Sequence, residues 1–155
     1  MTSIVKKYDK PGKWEVIIPF EKEGEEINFL AVIDARKSGE YELKVVADHR
    51  ARGTNGRVTV RAVGGADAHI KLVGMIKIHK EAQETDDYLE LRVLTLDSSV
   101  RATAEPMLEI EANNVKASHG ASVGQVDPDQ ILYLMNRGLT IDQAQYEIVS
   151  GWLGV

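Results

Sequence analysis

Residues 113–138 read Asn-Asn-Val-Lys-Ala-Ser-His-Gly-Ala-Ser-Val-Gly-Gln-Val-Asp-Pro-Asp-Gln-Ile-Leu-Tyr-Leu-Met-Asn-Arg-Gly, and two kinds of order meet inside them. As far as Gln125 the pattern is short and β-like, broken by small residues. From Asp127 it turns helical. Asp127 suits an N-cap, Pro128 the first helical position, and Gln130 the third position after the cap. Ile131, Leu134 and Met135 share one helical face, and Gly138 ends the run. Thr140-Ile141-Asp142-Gln143 repeats the start signal, and Ile141, Ala144, Ile148 and Trp152 form a second stripe with Gly151 near its end. The reading is two short helices packed on a β body or against each other. His119 sits at the seam between Ser118 and Gly120, whose small side chains leave its imidazole accessible.

Upstream the chain is a series of brief strand patterns. Trp14–Phe20 comes first, with Pro19 marking an edge, then Ile27–Ile33. Tyr41, Leu43 and Val45 alternate with Glu42 and Lys44, the period-two mark of a half-buried strand. Val58, Val60 and Ala62 follow, then Ile70 and Leu72 with Ile78. Leu89, Leu91 and Val93 come next, then Leu108, Ile110 and Ala112, and last Val115 and Ala117. Thr54-Asn55-Gly56, Gly64-Gly65-Ala66-Asp67, Asp97-Ser98 and Asn113-Asn114 turn the chain between runs. Short strands at irregular spacing fit a sandwich, a barrel or a β-solenoid, and no clean repeat chooses among them. Residues 1–13, polar and lysine-rich around Pro11-Gly12, read as a mobile start. Residues 14–126 read as the β body and 127–155 as a helical pair on it, one domain overall.

The 155 residues suffice for one domain with a sizeable core. A net charge of −5 argues against a general nucleic-acid binder. No apolar run reaches the roughly 18 residues of a membrane span. The first residues lack an apolar signal core, so a cytoplasmic protein is expected. There is no cysteine. Disulfides, thiol nucleophiles, thiolate zinc and a self-contained all-cysteine iron–sulfur cluster are therefore excluded.

Val-Lys-Ala-Ser-His-Gly-Ala-Ser-Val-Gly-Gln (115–125) followed by Gln-Ile-Leu-Tyr-Leu-Met-Asn-Arg-Gly-Leu (130–139) resembles the C-terminal signature of the SufB/SufD family. Weaker blocks resemble it in consistent order over roughly residues 24–153. They are Val46–Ala51, Arg61–Val63, Gly74–Ile78 with Ala82–Tyr88, and Arg92–Leu96 with Pro106–Ile110. The resemblance implies a mainly β fold, a short right-handed parallel β-helix (β-solenoid) with two C-terminal α-helices. It implies a non-enzymatic scaffold or accessory subunit in iron–sulfur cluster assembly, whose C-terminal helices dock a SufC-like ABC ATPase. The Ser-His-Gly at 118–120 and the missing cysteine place the chain nearer SufD. Pairing as a homodimer or with a SufB-like subunit would cover the exposed ends of a short solenoid. The alternative is a stand-alone β-solenoid protein-binding module without a cluster role. A polysaccharide-degrading enzyme lacks a credible carboxylate or arginine cluster.

The residues give the candidate sites. His119 is a possible ligand for iron or a cluster shared with a partner, since neutral imidazole binds such metals. The plainer reading is a structural histidine bonded to a nearby carbonyl. By resemblance Tyr133, Leu134, Arg137 and Gly138 belong to the ATPase-docking region, although a C-cap alone explains Gly138. No catalytic residue is expected, and no cofactor held tightly by this chain alone. His49, His69 and His79 read as surface or structural histidines. Glu25-Glu26 and Asp86-Asp87 read as solvated turn charge, because adjacent strand residues point to opposite faces. Neither Gly64-Gly65 nor Gly53–Gly56 ends in Gly-Lys-Ser/Thr, so no phosphate loop is present.

Overall fold

The computed structural model describes residues 1–154; residue 155, the end of the expected helical region, lies outside them. Nine strands are followed by two helices. The strands are β1 (Thr2–Tyr8), β2 (Gly12–Phe20), β3 (Glu26–Ala35), β4 (Glu40–His49), β5 (Asn55–Gly64), β6 (His69–Ile78), β7 (Asp86–Thr95), β8 (Arg101–Ile110) and β9 (Lys116–Gln125). The helices are α1 (Pro128–Asn136) and α2 (Ile141–Leu153). Odd strands form one sheet in the order β1-β3-β5-β7-β9 and even strands another, β2-β4-β6-β8. Every pairing is parallel and skips one strand. The chain therefore winds as a β-solenoid, each coil giving one strand to each sheet. The mainly β solenoid with two C-terminal helices agrees with the sequence reading.

The start differs from the expectation for residues 1–13. Ile4 and Tyr8 sit in register with Phe29 and Ile33, so β1 is a paired strand of the coil. Two apolar points among lysines are a faint signal, because a terminal strand has one free side.

Register explains the core. Ile27, Gly56, Asp87 and Ala117 stack in one column, and Ile4, Phe29, Val58, Leu89 and His119 in the next. Across from them stand Trp14, Leu43, Leu72 and Ala104, and Phe20, His49, Ile78 and Ile110. Inward phases of the two sheets meet in one continuous core. Valine and isoleucine suit it because β-branched side chains pack on a pleated surface.

A second core lies outside the coil. Val32, Val63 and Leu94 break the alternation and face outward from the odd sheet, where they meet Val126, Ile131, Ala144, Val149 and Leu153. A strand covered on both faces loses its polar phase. The helix starts form as the sequence reading has them. Asp127 accepts the Asp129 amide at 2.9 Å, and Thr140 and Gln143 make a reciprocal capping box. Ala144, Ile148 and Trp152 of the expected stripe pack in this second core, joined by the buried Val149 and Leu153, while Ile141 is exposed. Two arginines of the odd sheet hold the end of α2. Arg61 Nη1 donates to the Trp152 carbonyl at 3.1 Å, and the Arg92 guanidinium lies over the Trp152 ring at 5.7 Å, cations placed where a helix carries its negative end.

Candidate functional site at the open end of the solenoid

Strands β8 and β9 form the last layer, with no coil above them. Their inward phase carries Ala102, Ala104, Pro106, Leu108 and Ile110 from β8, and Ala117, His119, Ala121 and Val123 from β9. In the coil below, the same columns are filled and buried by Ile70, Leu72, Ile76 and Ile78, and by Leu89, Leu91 and Val93. In the last layer Leu108 and Ile110 are each 40% exposed and Val123 49%. The layer is built like a core and left uncovered, and its free strand edges carry unpaired backbone donors and acceptors.

His119 belongs to this layer. It stands in register above Leu89, a fully buried residue, so its ring takes an interior phase that is exposed only because no coil lies above. Among the described residues its ring has no hydrogen-bond partner. Gly120, the next residue, faces the outer side. A Cβ there would come within 2.9 Å of the Tyr88 hydroxyl, so the glycine lets the Tyr88 ring lie against β9.

Tyr133, Leu134, Arg137 and Gly138 lie elsewhere, on and just after α1, which packs on the outer face of the odd sheet. Tyr133 is 57% exposed and its ring carries the Arg137 guanidinium at 4.9 Å. Leu134 is half-buried and lines a groove of about 400 Å³ with Asp127, Asp129, Gln130, Tyr133 and Ile148. Gly138 has φ +98° and stops the helix. Leu132, Met135, Ile141 and Tyr146 add further exposed apolar surface to the helical pair. The structure thus separates the candidate residues into two surfaces, an open coil end with His119 and a helical face with Tyr133 and Arg137.

One reading of ionisable residues needs correction. His49 falls on the structural side of its reading: it points inward and is fully buried. Asp87 is not solvated turn charge: it is buried and bonds His49 Nε2 at 2.7 Å. His69 is exposed and His79 bonds Asp48 at 2.8 Å, as surface or structural histidines do. No group of three or more His, Cys, Asp or Glu side chains gathers among the described residues. A metal at His119 would need further donors from another chain.

The family model of the SUF system FeS cluster assembly, SufBD core domain, matches residues 15–152. The chain belongs to the SufBD core family. It is 32% identical over 145 residues to an iron–sulfur cluster assembly SufBD family protein of Mycobacterium leprae, covering 88% of this chain and 37% of that protein. It is 35% identical over 105 residues to the iron–sulfur cluster assembly protein SufD of Bacillus subtilis, covering 68% of this chain and 24% of the other. Against the Escherichia coli protein of that name it is 38% identical over 76 residues, 49% of this chain and 18% of the other. The chain therefore spans well under half the length of these relatives. Among the described residues no helix is long and apolar enough to cross a membrane.

Proposed function

We propose that this SufBD core chain is a scaffold or accessory subunit of iron–sulfur cluster assembly, with one surface for a pairing subunit and another for an ATPase. The observation that carries the reading is the last layer: a core-like set of side chains left uncovered beside two free strand edges and one unbonded imidazole. A second β-solenoid, either another copy or a SufB-like chain, covers those edges. If the partner is identical, a two-fold axis brings equivalent edges together with strands running antiparallel. His119 then lies at the junction and offers one neutral imidazole nitrogen to iron or a cluster carried as cargo. Cysteine, which this chain lacks, and any further donors come from the partner.

The helical face takes the other role. Tyr133 and Leu134 beside Arg137 form an apolar patch with a cation at its rim, the composition that protein interfaces favour at their centres. We assign it to docking of a SufC-like ABC ATPase. Names of the relatives support membership of the cluster-assembly system, and the absence of a nucleotide loop in this sequence fits an ATPase supplied in trans.

The test is reconstitution with the ATPase and the pairing subunit. His119→Ala is expected to lower iron or cluster retention while the complex still forms. Unchanged retention removes His119 from the site. Arg137→Glu is expected to abolish ATPase capture in a pull-down and leave solenoid pairing intact.

A further inference from the structure

The even sheet carries a cleft of about 470 Å³ at the starts of β4, β6 and β8. Register builds it from two columns. Glu40, His69 and Arg101 stand side by side in one, and Glu42, Lys71 and Thr103 in the next. Neighbours in a column are one strand spacing apart, about 4.8 Å, and the two columns lie about 7 Å apart along the strands. His69, Lys71, Arg101 and Thr103 therefore form a compact square on β6 and β8, all four exposed and on the outer face. Tyr41, Ile70 and Ala102, the residues between the columns, complete the lining.

The square stands apart from the other cationic places in the molecule. Arg36, Arg50, Arg52 and Arg57 each pair with a carboxylate. Arg61 donates to a carbonyl, and Arg92 and Arg137 lie over aromatic rings. Among the described residues Arg101 is the one arginine whose guanidinium has no such partner. His69 and Lys71 pair with no carboxylate either, although Glu40 and Glu42 stand beside them in register. Glu42 pairs with Lys13 of β2 instead, at 3.5 Å.

Uncommitted donors around one cleft suit an oxyanion. The planar fork of Arg101 matches two oxygens of a phosphate at once. Lys71 adds a point charge, Thr103 a hydroxyl, and His69 a ring N–H that either charge state of the imidazole provides. A carboxylate has two oxygens and one charge, too few for this set. A phosphate monoester has three free oxygens and roughly two negative charges at neutral pH. Glu40 and Glu42 close the cleft on its β4 side and repel an anion there, so the phosphate sits between β6 and β8. The cleft has the volume of a small-ligand site and exceeds a lone phosphate. The carbon stems of Lys71 and Arg101, with Ala102, offer an apolar wall for an attached organic group.

We infer that this cleft binds a small phosphate monoester, its phosphate held by Arg101, Lys71, His69 and Thr103. The site lies on the even sheet, whereas the helical pair packs on the odd sheet and His119 belongs to β9. It is a third surface, separate from the two assigned to a pairing subunit and an ATPase.

The experiment is a nuclear magnetic resonance titration of the full chain with inorganic phosphate, phenyl phosphate and acetate, at fixed pH and ionic strength. The amides of His69, Lys71, Arg101 and Thr103 are expected to shift saturably with both phosphates. Phenyl phosphate is expected to bind several-fold more tightly than inorganic phosphate, through the apolar wall. Arg101→Gln should weaken both roughly tenfold. The Arg101 side chain bonds nothing within the chain, so the variant should keep the urea midpoint of the parent. Lys80→Gln, which removes an exposed cation outside the cleft, should leave binding unchanged. Shifts that do not saturate overturn the inference, as do equal losses in the two variants, acetate binding as tightly as phosphate, or phenyl phosphate binding no more tightly than inorganic phosphate. No metal, cluster or ATPase enters the titration, so its failure leaves the cluster-assembly reading standing.

Discussion

The β1–β2 layer and the β8–β9 layer are built from the same repeat and filled differently. In the first layer Tyr8 and Trp14 lean together with ring centroids 4.5 Å apart, and Ile4 and Val16 are half-buried. Lys6 takes an inward phase, in register with Ala31. Burial pushes the Tyr8 phenol above its ordinary pKa. The last layer has neither an aromatic lid nor an inward lysine. It offers Leu108, Ile110, Val123 and His119 to whatever lies above. The difference teaches that exposure alone is not the signal. An uncovered layer keeping the side chains of a covered one is the signal, because exposed apolar patches at a strand edge mark sites of association.

Substitutions in the middle, first and last layers should rank accordingly. Leu91 is fully buried, and Leu91→Ala should cost about 2–5 kcal/mol in urea unfolding. Trp14→Ala should cost about 1–3 kcal/mol by losing half-buried aromatic surface and the ring pair with Tyr8. Leu108→Lys should change the stability of the unpaired chain by less than about 1 kcal/mol and abolish pairing, read by sedimentation. A Leu108→Lys chain that unfolds as readily as Leu91→Ala would break the comparison, since the last layer would then be core already.

A smaller effect concerns acid. Burial would raise the Asp48 carboxyl, but hydrogen bonds from His79 and Arg50 outweigh it and hold the group below its ordinary value. A carboxylate whose folded pKa lies below its unfolded one adds stability above the unfolded value, and that stability is lost as pH falls through the folded one. The urea midpoint should therefore drop on acidification below about pH 4. The drop should be shallower in a His79→Ala, Arg50→Ala double variant, and an unchanged slope would remove Asp48 from the acid response.

Much of the fold could be read from residues, and the gaps have physical causes. Alternation at Tyr41, Leu43 and Val45 marks a strand with one wet face, and the structure has it there. The solenoid itself was hidden because successive coils differ in length. Ile27, Gly56, Asp87 and Ala117 stack in one column although the corners between them insert different numbers of residues. Resemblance supplied what periodicity lacked. The helix starts were legible because their caps are local chemistry. The α2 face was read correctly at Ala144, Ile148 and Trp152 but not at Ile141, because the second core that selects it, Val63 and Leu94 facing outward, sits on a distant part of the chain. His119 was singled out by its small neighbours, but its interior phase follows only from pairing with β7. The Asp87–His49 contact joins residues 38 apart, and nothing local predicts it.

The central claim is that the β8–β9 layer is a pairing surface. Hydrogen–deuterium exchange on the free chain and on its reconstituted complex with a pairing subunit and the ATPase tests it most directly. The account predicts new protection along Arg101–Ile110 and Lys116–Gln125 on assembly, with Thr2–Tyr8 unchanged. Unchanged exchange over β8 and β9 in the assembled complex, or protection gained at β1 instead, would contradict it.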